Sequence, residues 1–446
     1  MSRLFFKLLL IFCLNLSVIP IISAQQGYSR YFDAGDRAQR EYLAGLVHYQ
    51  GITYLSSAHI YQDKESVSLA AISQTGDVIW EYEYDFVDAA HGIAMIDDHL
   101  YFAGSSNNHL GVKHIVVKVG LDGTVIDTIS FTGLPYPDIY DSGGFELGVL
   151  GDGLYYAGGA RADSSGSTLQ LFDISPQLDS IRAITTIPPH ASHNGHSDIF
   201  SDGKHMLYHV RQLDGERGPT LYFDENFDVF LEARWQEDAY SSDFIVDDLI
   251  IDLTIFRGIG LAGNLKWDIW PAFNYDVVRP RPPEVFDLSS SARLYDAQYT
   301  GRSSFLLVGQ GIRYHGDEST DVGYIGEFDM EGNELWHRFI VDYSEDGKDS
   351  RDVGFSMVEL GEDGSIYVGG WVVNEQQSWE ANGTDIWLMK LDSMGCLSDQ
   401  PCEEVIRVGL LTGSSEITNE APGLNIYPNP TSDRMTIACD AWSEIR

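Results

Sequence analysis

Apolar and polar positions along this chain fall into strand-length runs broken by glycine turns, and the arrangement recurs. The clearest copy is Asp363-Gly364-Ser365-Ile366-Tyr367-Val368-Gly369-Gly370-Trp371, followed by Asp385-Ile386-Trp387-Leu388-Met389-Lys390-Leu391-Asp392. It reads as turn, strand, loop, strand and turn. Asp-Gly and Gly-Asn pairs supply the positive φ that tight hairpins require. Looser copies contain Tyr54, Tyr101, Tyr155 and Tyr208, which recur every 47 to 54 residues or so. A fifth copy, over 243–268, is the poorest match, and a sixth spans 303–336. No long run carries the 3.6-residue period of an amphipathic helix.

Units of up to four short strands at this period predict an all-β chain, a β-propeller of seven four-stranded blades. Because the fifth unit is weak, six and eight blades are the alternatives. The last unit shows only three good strands, 355–359, 365–372 and 385–391. The run Tyr28-Ser29-Arg30-Tyr31-Phe32 has no blade of its own. It is expected to supply the missing outer strand, joining the chain ends and covering an exposed edge. The stretch from Trp267 through Trp270 and Pro271 to Tyr275, then Arg279-Pro280-Arg281-Pro282-Pro283, reads as a loop between units five and six. Proline is excluded from central strand positions. Trp270, Arg279 and Arg281 make it either a binding loop or a rigid packing loop.

The N-terminus changes the picture from fold to address. Arg3 precedes and Lys7 interrupts an apolar run that ends in Ile21-Ile22-Ser23-Ala24-Gln25. This predicts a secretory signal peptide over 1–24, cleaved after Ala24, with the propeller over 25–395. No later segment is apolar for long enough to predict a spanning helix. The formal charge is −39, which argues against nucleic acid as a partner, since Lys and Arg carry that affinity. Of four cysteines, Cys13 leaves with the signal peptide. Cys396 and Cys402 have the spacing of a local disulfide in an exported protein. Cys439 is left over. Residues 396–423 read as a disulfide loop and linker.

Leu424-Asn425-Ile426-Tyr427-Pro428-Asn429-Pro430, followed by the short apolar run Met435-Thr436-Ile437, resembles the opening of the type A sorting domain of the type IX secretion system. That system exports proteins across the outer membrane of Bacteroidota. The resemblance covers about the last two dozen residues, and such domains are several times longer. It implies the type IX machinery as a partner, with Tyr427, Pro428, Asn429 and Pro430 as the sorting motif, and a secreted or cell-surface destination by way of the periplasm. The repeats before it resemble secreted Bacteroidota proteins with degenerate propellers. The triplets Asp127-Thr128-Ile129, Asp179-Ser180-Ile181 and Asp392-Ser393-Met394 look like the O-glycosylation motif of that phylum.

Candidate chemistry is sparse. Asp88, Asp141, Asp198, Asp243, Asp296 and Asp352 each stand near the start of a first strand. A ring of such carboxylates at a propeller mouth would suit calcium, which takes several oxygen ligands. The alternative is that each caps its own turn. His190, His193 and His196 lie three apart in a loop, and His193 and His196 are candidate ligand contacts near the same mouth. Asp342-Tyr343-Ser344-Glu345-Asp346-Gly347 matches a calcium loop only in part, because Val353 occupies its twelfth position. Trp80 and Trp336 follow glycine turns and resemble the blade-docking tryptophans of quinone-dependent dehydrogenase propellers. No Gly-x-Ser-x-Gly elbow, phosphate loop or CxxC pair is present. Two readings follow: a propeller that binds a glycan or protein partner, or a polysaccharide hydrolase or lyase using acids at the mouth.

Overall fold

The computed structural model describes residues 27–409 apart from segments between strands, the longest being 33–39, 133–145, 188–196, 257–263, 272–284 and 374–382. It also describes 424–427 and 436–439. Across the fourth and fifth sheets the description is almost entirely of the backbone. Two compact units result, residues 1–408 and 409–446.

Every element among the described residues is a strand. In the larger unit the strands pair into seven antiparallel sheets that follow one another along the chain. Sheet one spans residues 40–84, sheet two 89–132, sheet three 146–187, sheet four 197–233, sheet five 239–287, sheet six 293–351 and sheet seven 353–391. Within each, consecutive strands are neighbours, as short hairpin turns dictate. The first strand of each sheet packs on the first strand of the next: Arg40–Tyr49 on Ala89–Ile96, then Glu146–Leu150, Ser197–Ser201, Ala239–Val246, Arg293–Tyr299 and Val353–Leu360, which packs back on Arg40–Tyr49. Sheets joined cyclically through their first strands make a β-propeller, with those strands innermost.

Closure occurs where the strand count placed it. Tyr28–Phe32 pairs antiparallel with Thr384–Leu391, Tyr28 opposite Lys390 and Phe32 opposite Ile386, and completes sheet seven. The tyrosines that mark the repeat lie on second strands, and Tyr54, Tyr101 and Tyr155 are fully buried between sheets. Hairpin turns between third and fourth strands hold Gly76 and Gly123 at positive φ, as the turn after the third strand of sheet seven holds Gly395, and an aromatic side chain of the preceding sheet lies on each. Tyr28 covers Gly76, Tyr82 and Trp80 cover Gly123, and Trp336 covers Gly395. Trp80 Nε1 donates to Leu121 O at 3.0 Å. The two repeated tryptophans are therefore blade-docking residues.

Three expectations need correction. Trp270 and Pro271 are not in a loop: Asn264–Pro271 is the third strand of sheet five, in register with Leu249–Phe256. The proline closes the strand, where a missing donor breaks no interior rung. Next, Val405–Gly409 is not linker but a strand on the outer part of sheet six, paired with Glu334–Tyr343. Ile406 and Val408 are buried and Arg407 exposed. Finally, the aspartates do not share one position at the strand starts. Asp352 precedes its strand, whereas Asp198, Asp243 and Asp296 lie inside theirs, because ladder pairing begins upstream of them.

Candidate functional site

The innermost strands of sheets six and seven are tied by a carboxylate. Asp296 lies beside a register shift between Leu294 and Asp296. Its Oδ1 accepts the N–H of Ala297 at 2.8 Å and its Oδ2 the N–H of Val358, on the neighbouring innermost strand, at 2.9 Å. Glu359 follows Val358. Burial pushes the Asp296 carboxyl up to about 7 against the pull of those two N–H groups. Burial, and after it the charge of Asp296, pushes Glu359 up to about 8. Both side chains keep some exposed surface, so the pair is enclosed by protein yet reachable by solvent.

Tyr155 approaches from sheet three. It stands opposite Gly148 in the ladder, and a Cβ at Gly148 would collide with the Tyr155 hydroxyl. Glycine in the innermost strand is what lets the phenol cross it. The hydroxyl points at Glu146 Oε1, 3.5 Å away. Burial holds Tyr155 well above the ordinary tyrosine range, helped by Glu146 and by Asp296. Glu146, Asp296 and Glu359 all lie on the innermost strands of their sheets, three, six and seven. Two like charges without a cation do not ionise together easily. Asp296, with two N–H donors, is the better anion, and Glu359 the better holder of a proton. The group therefore presents one carboxyl that can donate and accept, beside acceptors and a phenol.

The other sequence candidates do not converge with it among the described residues. Asp352 is exposed and its Oδ1 accepts the N–H of Asp321, inside the third strand of sheet six, at 2.9 Å. Asp198 is on the innermost strand of sheet four, opposite His209. Asp243 is opposite Asp252, which is opposite Asp268, in the register of sheet five. Asp88, Asp141, His193, His196, Arg279, Arg281, Pro428, Asn429 and Pro430 lie outside the described residues. Tyr427 ends a strand, Leu424–Tyr427, paired with Thr436–Cys439. Among the described residues no group of three or more His, Cys, Asp or Glu side chains is arranged to hold a metal ion. Cys396 and Cys402 are joined as a disulfide.

A second polar group went unnoticed in the sequence. Ser57 Oγ and His59 Nε2 are 3.2 Å apart, and His59 Nδ1 is 3.2 Å from Glu41 Oε1. This is the connectivity of a nucleophile–base–acid relay. However, Glu41, Ser57 and His59 are 1%, 2% and 4% exposed, so the group is sealed between sheets one and seven and its role is packing. Its signal was the alternation Ser57–His59 on one strand face, with Glu41 opposite His59.

No protein-family model matches the chain, and no curated protein does. Solved structures are similar at low identity. They include the polysaccharide lyase Uly1 (9% identity, TM-score 0.44, covering 78% of this chain and 90% of that one). The β-propeller domain of the Trilobed protease from Pyrococcus furiosus has 9% identity and a TM-score of 0.45, with coverage of 82% and 99%. Oligogalacturonate lyase from Vibrio parahaemolyticus has 10% identity and a TM-score of 0.45, with coverage of 82% and 97%.

Proposed function

We propose that this chain is an exported β-propeller that binds a neutral, hydroxyl-rich glycan around its axis. The observation that carries the reading is the axial group of Asp296, Glu359, Glu146 and Tyr155. A carboxyl that keeps its proton near neutral pH both donates to and accepts from a sugar hydroxyl. A formal charge of −39 repels polyanions such as polyuronates and nucleic acid. The N-terminal run before Gln25 and the resemblance at 424–437 support export, with the type IX machinery as the partner in transit and the cell surface or medium as destination. Calcium has no ligand set among the described residues.

A second reading, glycoside hydrolysis, is favoured by the acid pair itself, since one protonated and one ionised carboxyl is the arrangement such chemistry uses. Binding ranks higher because both oxygens of Asp296 are committed to backbone N–H groups, which leaves Glu359 as the one free acid of the pair. The test is a panel of neutral oligosaccharides measured by calorimetry, with reducing-end release followed in parallel. Binding that Glu359→Ala weakens at least tenfold, without release of reducing ends, is expected. No binding across the panel, or binding indifferent to Glu359→Ala, overturns the proposal. Release of reducing ends that Glu359→Gln abolishes would establish hydrolysis instead.

A further inference from the structure

The segment after sheet seven is a strap. Leu397, Ile406 and Val408 are buried in the same core as Trp336, Ile340 and Leu391. The N–H of Phe339, on sheet six, donates to Glu404 O at 2.8 Å. One covalent bond, Cys396–Cys402, fastens this strap to the turn that ends sheet seven. Its two sulfurs are unlike. Cys396 is 3% exposed, whereas Cys402 is exposed. Arg338 Nη2 lies 3.2 Å from Cys402 Sγ and 3.8 Å from Cys396 Sγ. The guanidinium is held in place over the Trp336 ring at 5.3 Å and by its donation from Nη1 to His337 O at 2.5 Å. A fixed cation beside a sulfur favours the thiolate, and a stabilised thiolate is the better leaving group in exchange.

We propose that Cys402 Sγ is a site of thiol–disulfide exchange with an external dithiol, and that exchange there unfastens the strap from sheet six. The external thiolate attacks the exposed Cys402 Sγ and forms a new S–S bond. The Cys396–Cys402 bond breaks, and its electron pair leaves on Cys396 as a thiolate beside Arg338. The second thiolate of the reagent then displaces Cys402. The dithiol is oxidised to its disulfide and the cysteine pair is reduced by two electrons. The cysteines are separated by 6 positions, and losing so short a closed loop raises local opening by roughly 50-fold in the chain-entropy estimate.

The experiment uses the full chain in a Cys13→Ser, Cys439→Ser background, so that neither of the two other cysteines reshuffles the pair. Native protein is treated with glutathione to trap the mixed disulfide and with dithiothreitol to complete reduction. Mass spectrometry should locate the glutathione on Cys402. Amides of Val405–Gly409 should then exchange roughly 50-fold faster after reduction, with those of sheets one and two unchanged. Arg338→Gln should slow the first step roughly threefold to tenfold, and Arg338→Lys should restore most of the rate. An adduct on Cys396, a native disulfide that does not react, or unchanged exchange at Val405–Gly409 after reduction would each overturn the proposal.

Discussion

The contact between sheets one and two and the contact between sheets seven and one do the same geometric job with different materials. Between one and two the packing is mainly apolar: Tyr54, Ala58, Val67, Leu69, Ile93, Leu100, Phe102, Ile115 and Val117 form one buried cluster, and the polar links are donations from Trp80 Nε1 to Leu121 O and from the Tyr84 hydroxyl to Gly123 O, with an exposed Tyr49–Asp98 bond. Between seven and one the apolar part is smaller, built on Leu43, Leu46, Leu55, Ala70, Ile72, Tyr367, Ile386 and Leu388, and polar groups accompany it. One group is Glu41–His59–Ser57, with Thr384 Oγ1 donating to Glu41 O at 2.7 Å. In another, Lys390 Nζ reaches Asp363 Oδ2 at 3.7 Å and Gln74 O at 3.5 Å, and His48 stacks on Tyr367 at 4.1 Å. Sheets one and two are consecutive, so non-specific burial suffices to hold them. Sheets seven and one come from opposite ends of the chain and must find a single register. Buried polar partners penalise wrong registers, because a misplaced charge inside a core is costly.

The largest expected effect tests the apolar side. Phe102→Ala removes a fully buried ring from the contact of sheets one and two and should cost about 3–5 kcal/mol in urea unfolding, from lost transfer energy and the cavity left behind. The polar side should respond differently. His59→Ala removes the imidazole from beside the buried Glu41 side chain and should cost about 3 kcal/mol. The double change Glu41→Met with His59→Leu should recover most of that loss, since an apolar pair of similar volume needs no partner. If the double variant is as unstable as the single one, the polar group contributes stability as well as register, and the contrast between the two contacts weakens.

How far the sequence went can be judged at particular residues. The turns at Gly76, Gly123 and Gly364 were legible because positive φ selects glycine, and the closing strand was legible because the last unit was one strand short. The strap at Val405–Gly409 carried an alternation of its own, with Ile406 and Val408 in and Arg407 out, but a disulfide followed by a polar stretch looked like a tether. Trp270 was misplaced because one proline outweighed the period-two pattern before it. At the site, Asp296 was found as an aspartate near an innermost strand. Its companions Glu359, Glu146 and Tyr155 come from other parts of the ring, and ladder register around an axis is not written in local spacing. Gly148 gave the one local hint, a glycine where a strand side chain was expected.

The smallest effect, and the sharpest on the comparison, is the dependence of each contact on pH. Glu359 and Asp296, between sheets six and seven, titrate at about 8 and about 7, above the usual carboxyl range. A carboxyl raised on folding stabilises below its unfolded value, and that contribution is lost as pH rises through the folded one, at no more than about 1.4 kcal/mol per pH unit for one group. Burial lowers His91 to about 3 and His114 to about 4, and His48 is lowered too, by burial and then by Lys390 against the pull of Asp363. A lowered histidine stabilises above its unfolded value and loses that contribution as pH falls from about 6.5 toward the folded value. Thermal stability should therefore peak near pH 5 to 6.5, falling on the alkaline side through the acid pair and on the acid side through the histidines. Glu359→Gln should flatten the alkaline limb and leave the acid one, and His114→Gln should do the reverse. Hydrogen exchange, corrected for intrinsic rates, should accelerate first between sheets two and three in acid and between six and seven in base. The Phe102 contact, whose buried cluster contains neither a histidine nor a carboxyl, should follow only global unfolding. Equal loosening of that contact at either extreme would mean that these groups report on the whole ring, and that its contacts do not differ in the way their composition implies.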